Sequence, residues 1–397
     1  MKVAVLVPDG AADLPLEQLG NRTPLKAART PNMDRVASLG ATGTVSTIPP
    51  GMPPGSDVAN LSLLGYDPGT SYGGRGPIEA ANLGLEVPRG WTAFRCNLVS
   101  TDGERMLDYS AGHIGQSEAS EIIDALELAL GDEQTKFHAG KSYRHILIVK
   151  GDFSDLECMA PHDITGMELG PHLPGGRGAE RIIEIMTRSR DVLDRLPVNE
   201  RRSGSGQPRV DMIWLWGQGV SMHLEPFRER FGLSGGVISA VDLVNGLGRL
   251  AGLRPIEVPG ITGFLDTNYR GKGEAAVSAL LKDDFMYVHV EAPDEASHMG
   301  DIEEKVKALE RFDSMVVEPV LSVLERGDSR ILVCPDHPTF ISTRTHDGSP
   351  VPYAVCGTGI PRDGAESFCE DEAKRSGRHF ALGWKLMFSL VGKEPWP

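Results

Sequence analysis

The chain has 397 residues, too many for one ordinary hydrophobic core, so about two domains are expected. A hydrophobic share of 40%, with 47 glycines and 28 prolines, fits a loop-rich globular enzyme and excludes a fibrous or disordered chain. A net charge of −15 with no basic block excludes nucleic acid as a partner, and an anionic substrate would need metal ions or a local arginine cluster.

Val3 to Val7 is a continuous apolar, β-branched run, which predicts a strand covered on both faces; Asp9 follows its end. The run is too short for a signal peptide, and no stretch reaches the roughly 18 apolar residues of a membrane span. Thr30-Pro31 opens a helix that runs to Leu39 and stops at Gly40. The proline-rich stretch Pro49 to Pro54 then holds the backbone extended up to Gly55. Ser56 or Asp57 stands where an N-cap belongs, and Val58 to Leu64 reads as a short helix closed by Gly65. A serine there is usually only a cap. Its hydroxyl also lies beside unpaired N–H groups, a place to hold phosphate.

Further strands are expected at His145 to Val149, Met212 to Trp216, Phe285 to Val290, Ile331 to Cys334 and Tyr353 to Cys356. Between them, Ile122, Ile123, Leu126 and Leu130 form one helical face, and Val306, Leu309, Phe312, Val316, Val320 and Leu324 form another. Alternation of this kind predicts an α/β fold with a mostly parallel sheet and helices on both faces. The stretch from Pro77 to Arg209 is less regular and reads as an inserted smaller domain, giving residues 1–76 with 210–397 and residues 77–209. Gly246 to Gly252 has a dinucleotide-like glycine spacing, but it sits in a helical pattern and reads as a close helix-packing face. Cys96, Cys158, Cys334, Cys356 and Cys369 form no CxxC pair and are odd in number, which points to a reduced, cytoplasmic setting.

Ligands of open α/β sheets gather beyond the carboxyl ends of the strands. Three predicted strands lead there to acidic residues and histidines: Asp9, then Asp294 with His298, then Asp336-His337, with His346 nearby. Asp294 and His298 are spaced to share one side of a helical turn. The adjacent Asp336 and His337 diverge and can address two different ions. Mixed carboxylate and imidazole donors suit Mn²⁺ or Zn²⁺ and suit Mg²⁺ less well. Two such ions form a phosphoryl-transfer device, and coordination would turn Ser56 into an alkoxide nucleophile.

The chain resembles the archaeal-type cofactor-independent (2,3-bisphosphoglycerate-independent) phosphoglycerate mutases of the alkaline phosphatase superfamily, nearly end to end. The resemblance is carried by Val7-Pro8-Asp9-Gly10, Thr30-Pro31-Asn32-Met33-Asp34, Gly55-Ser56-Asp57, Gly74-Arg75-Gly76-Pro77, His289 to Glu295 and Asp336-His337-Pro338-Thr339. It implies one ion on Asp9, Ser56, Asp336 and His337, and a second on Asp294, His298 and His346, with Mn²⁺ as the expected metal. It also implies an alkaline-phosphatase-like domain interrupted by a substrate-binding insert. In the family, the serine takes the phosphate from 3-phosphoglycerate and returns it to O2 of the retained glycerate. Arg95, His113, Arg144, His162 and Lys272 are the candidates for contacting this small phosphorylated substrate. The segments Met52 to Asn60 and Ala93 to Val99 look closer to a subgroup once proposed to be homoserine kinases. A kinase needs a nucleotide site, and the chain has no GxxxxGK[ST] loop. A metal-dependent phosphatase would use the same serine and ions, with water completing the second half-reaction; a metal-stabilised, catalytically dead protein would lack some of the ligands.

Overall fold

The computed structural model describes residues 1–324 and 327–396, and these form two compact units: Met1–Tyr72 with Leu224–Pro397, and Gly73–His223.

The larger unit is built on an eight-stranded sheet among the described residues. Its central strand, Lys2–Pro8, pairs parallel with Ser329–Val333 on one side and Phe285–Val290 on the other. Parallel pairing continues outward from Phe285–Val290 to Gly235–Ile238 and Arg254–Pro255. On the opposite side, Val351–Gly357 runs antiparallel to both Ser329–Val333 and Ala41–Val45. Val3 to Val7 are wholly buried, as a strand covered on both faces must be. Ala4, Leu6, Met286, Val288, Ile331 and Val333 pack on one face against Met33, Val36, Leu309, Phe312 and Val316.

The helix expected to run on to Leu324 is locally underwound. Ile302–Phe312 passes into a π-helical stretch, Asp313–Val317, before Glu318–Leu324. Leu309, Phe312, Val316 and Val320 are buried and Val306 is half-buried; the side chain of Leu324 lies outside the described residues. The π turn points Asp313 at the start of helix Pro31–Leu39, where its carboxylate accepts the Asn32 and Met33 N–H groups at 3.0 and 2.7 Å.

Helix Asp242–Leu250 confirms the packing reading of the glycine-rich stretch. A Cβ at Gly248 would stand 3.1 Å from the Val237 side chain, in tight contact with the neighbouring strand.

The smaller unit holds an antiparallel sheet. Trp91–Thr101 pairs with Arg144–Lys150 on one side and with Met212–Val220 on the other. Phe94, Cys96 and Leu98 face a core shared with helices Gln116–Leu130 and Ala179–Asp194. All five cysteines are free, and no helix among the described residues is long and apolar enough to cross a membrane.

Candidate metal centre and nucleophile

All seven sequence-predicted ligands meet in the larger unit, because the three central parallel strands end side by side. Asp9 follows Lys2–Pro8; Asp294 and His298 lie on helix Ala292–Met299, just after Phe285–Val290; Asp336 and His337 follow Ser329–Val333. A short hairpin, Thr339–Phe340 with Thr345–His346, returns His346 to the same spot.

Ser56 opens helix Ser56–Leu63 one residue after its N-cap, Gly55. Its Oγ lies 3.1 Å from His337 Nε2. The same imidazole nitrogen is 3.5 Å from Asp9 Oδ1 and 3.6 Å from Asp336 Oδ2. Asn60, one turn along the helix, donates to the Ser56 carbonyl and to Asp336 Oδ2, both at 2.8 Å, and accepts from Tyr287 Oη. This buried amide fixes the Ser56 helix to the sheet.

The second group is equally tight. His298 Nε2 lies 3.2 Å from Asp294 Oδ2 and 3.0 Å from His346 Nε2, and His346 Nε2 is 3.6 Å from Asp294 Oδ1. His298 Nδ1 donates to the Arg344 carbonyl at 2.9 Å, which aims Nε2 at the cluster. Thr339 Oγ1 donates to Asp294 Oδ1 at 2.5 Å, and the wholly buried Lys305 holds the Thr339 carbonyl and Asp13 Oδ2 at 2.9 and 2.8 Å. His337 belongs to both groups. It is within ligand reach of Asp294 and His346 as well as beside Asp9 and Ser56, and its ring centroid is 4.2 Å from that of His346.

Electrostatics show what this arrangement needs. Burial, then the Asp336 and Asp294 carboxylates, push the Asp9 pKa well above its usual range. Asp9 Oδ1 is buried without a hydrogen-bond partner. Burial opposes ionisation of Asp294, but His298 and His346 hold its pKa well below the ordinary value. The Asp294 hydrogen bond leads in raising His298 to about 9. Buried carboxylates crowded beside several imidazoles, with an orphaned oxygen among them, are a donor set that fits divalent cations.

The sequence marks His289 only as part of a family motif and gives it no site role, yet it ends up against Asp9 and Asp336 (Nε2 at 3.3 and 3.6 Å). Its signal was a histidine inside an otherwise apolar buried strand, Phe285–Val290.

Of the expected substrate contacts, Lys272 needs correction. Its ammonium is wholly buried, donating to the His289 carbonyl at 2.9 Å and to Glu291 Oε2 at 2.5 Å, so it balances an interior carboxylate. The other four gather within the smaller unit on one aromatic cluster. Arg95 Cζ lies 4.0 Å over the Trp216 ring, with Nε 3.0 Å from Glu79. His162 meets Trp216 and Tyr109 edge-on at 5.3 and 6.0 Å. Tyr143 meets Tyr109 and His113 edge-on, each at 5.8 Å, and Arg144 Cζ sits 5.7 Å from its ring. Burial lowers the His162 pKa, and the nearby Arg95 and Arg75 add to the effect against Asp163.

A sequence profile of the 2,3-bisphosphoglycerate-independent phosphoglycerate mutase family matches residues 37–199. The chain is 49% identical over 395 residues to the 2,3-bisphosphoglycerate-independent phosphoglycerate mutase of Methanosarcina acetivorans, covering 98% of this chain and all of the relative. Among solved structures it is similar to the cofactor-independent phosphoglycerate mutase of Thermoplasma acidophilum (30% identity, TM-score 0.69, 98% and 99% of the two chains). It is also similar to a Pyrococcus horikoshii protein (28%, 0.81, 99% and 98%). The chain belongs to the 2,3-bisphosphoglycerate-independent phosphoglycerate mutase family.

Proposed function

We propose that this enzyme interconverts 3-phosphoglycerate and 2-phosphoglycerate through a phosphoserine at Ser56. The observation that carries the reading is the position of Ser56 Oγ: at a helix N-terminus and 3.1 Å from His337 Nε2, the nitrogen that itself lies 3.5 and 3.6 Å from the carboxylates of Asp9 and Asp336. Asp9, Ser56, Asp336 and His337 are the proposed holders of one divalent ion, and Asp294, His298 and His346 of the other, with Mn²⁺ as the proposed metal. Bound there, such ions depress the pKa of the serine hydroxyl and neutralise charge on the transferring phosphoryl oxygens.

The chain's own part is then positional. Ser56 Oγ forms a bond to phosphorus as the bond from phosphorus to O3 of the substrate breaks. The released glycerate oxygen gains one proton for the one that Ser56 loses. In the second half the 2-hydroxyl attacks the phosphoserine, Ser56 recovers its proton, and no group is left over. The N-terminus of helix Ser56–Leu63 would add its positive end to the hold on the phosphoryl oxygens. In the smaller unit, Arg95 and Arg144, with His113 and His162, are the proposed surface for the substrate's carboxylate and hydroxyls.

Relatives that carry the mutase name at 46–50% identity over nearly the whole chain favour this substrate over homoserine or simple hydrolysis. Replacing Ser56 by Ala abolishes turnover while two ions still bind; near-normal turnover in that variant would sink the covalent route. Arg95→Ala raises KM for 3-phosphoglycerate by about 10-fold or more, the worth of a charge-assisted hydrogen bond, with metal content unchanged. An unaltered KM removes Arg95 from substrate binding.

A further inference from the structure

We propose that His289 is itself a metal ligand, joining Asp9 and Asp336 on one ion through Nε2. The inference rests on the two-ion reading above and adds a donor to it. His289 has no exposed surface, and its Nε2 is buried without a hydrogen-bond partner, although Asp9 Oδ2 and Asp336 Oδ2 lie only 3.3 and 3.6 Å away. Asp9 Oδ1 is orphaned in the same place. Two buried polar atoms left unpaired in one pocket of the core are costly, and a cation between them removes the cost. One ligand atom from each of Asp9, His289 and Asp336 lies within 4.8 Å of the other two, close enough for a single ion to touch all three.

The rest of the ring is arranged for the same task. Nδ1 faces Glu291 Oε1 and Ser239 Oγ, each at 3.4 Å. Glu291 is in turn fixed by Lys272 Nζ at 2.5 Å and by Ser239 Oγ and the Ala240 N–H, both at 2.8 Å. A carboxylate held in this way keeps the proton on Nδ1, turns the Nε2 lone pair toward Asp9 and Asp336, and raises its donor strength. Lys272 is then a positioning residue, separated from the ion by Glu291 and His289, and its burial has a function.

The rival arrangement is an imidazolium that merely hydrogen-bonds the two carboxylates while the ion sits elsewhere, and crystallography of the full chain in Mn²⁺ separates the two. Manganese anomalous scattering is expected to place an ion about 2.0–2.3 Å from His289 Nε2, an ordinary metal–imidazole distance. An ion on Asp9 and Asp336 with Nε2 out of bonding range overturns the proposal. No ion there at saturating Mn²⁺ overturns both the proposal and the two-ion reading. Equilibrium dialysis supplies a second readout: wild type binds two ions, and His289→Phe, which keeps the ring volume, weakens one of them by at least ~10-fold while sparing the other. Two wild-type affinities in folded His289→Phe also overturn the proposal. Both measurements are independent of turnover. Ions bound as described without 2-phosphoglycerate formation would refute the mutase reading and leave the role of His289 standing.

Discussion

His145 shows how burial alone sets a side chain's chemistry. It lies in strand Arg144–Lys150, 1% exposed, and its Nδ1 accepts the Gly140 N–H at 3.0 Å. Burial lowers its pKa to about 4, since charging it would desolvate a cation and break that acceptor role. In the unfolded chain the imidazole takes up its proton near the ordinary pH of 6.5, so this contribution to stability is intact above that pH and is lost as pH falls from 6.5 to 4. The difference is worth about 3 kcal/mol. Chemical denaturation at pH 7.5 and pH 4.5 should therefore show a smaller acid loss in His145→Leu than in wild type; equal losses would remove His145 from the acid response. At this scale the sequence was informative where chemistry sits at strand ends. Asp9, Asp294, His298, Asp336, His337 and His346 stood out because acids and imidazoles beyond apolar runs have few other reasons to be there. Lys272 was misread because sequence cannot say that its partner, Glu291, is inside. A site role for His289 was not legible because a lone histidine in a buried strand has an ordinary explanation until its neighbours are known.

Two loops and a helix turn the sheet's edge into a site. Gly10 sits at φ +60° directly after Asp9, and its N–H donates to Asp336 Oδ1 at 3.1 Å. A Cβ there would stand 2.4 Å from Asp294 Oδ1. Gly10→Ala therefore costs about 1–3 kcal/mol in backbone strain and displaces a predicted ligand. Calorimetric Mn²⁺ titration should show weaker binding, and wild-type affinity would mean that Asp294 is not a ligand. Asn60 ties helix Ser56–Leu63 to Asp336 and Tyr287. Asn60→Leu takes the amide donor from Asp336 Oδ2 and the acceptor from the Tyr287 hydroxyl in the interior, and should lower stability by roughly 2–4 kcal/mol, measured by urea unfolding. A loss below about 0.5 kcal/mol would contradict that tie. Strands with unbroken apolar runs were legible as elements, and so was helix Pro31–Leu39 with its proline start and glycine stop. Trp91–Thr101 was not, because Arg95 and Asn97 interrupt its run and its buried face shows only as alternation. Gly235–Ile238 was also hidden, since two glycines open a strand of four residues. The π turn at Asp313–Val317 leaves no mark in a helical period that continues through it.

For the molecule as a whole, three buried aspartates in one place make any cation bound there a stability matter as well as part of the proposed chemistry. Chelation leaves Asp9, Asp336 and Asp294 with protons, imidazoles and the buried Lys305 ammonium near Asp294 as counter-charge. Mn²⁺ at 100 times its dissociation constant should add about 2.7 kcal/mol per site. Melting curves of the larger unit that coincide in EDTA and in Mn²⁺ would contradict that coupling. The parallel sheet and its catalytic edge could be anticipated from strand order and acidic strand ends, because those depend on local patterns. The aromatic cluster around Trp216 could not, because it joins residues from Arg95 to Trp216 through antiparallel pairing that no local pattern encodes. The most direct test of the central claim is an enolase-coupled assay on 3-phosphoglycerate with Mn²⁺ and no bisphosphoglycerate, run beside Ser56→Ala. Steady 2-phosphoglycerate formation by wild type alone is the predicted result; no product from a wild-type chain shown to hold both ions, or equal product from both chains, would contradict a phosphoserine mutase.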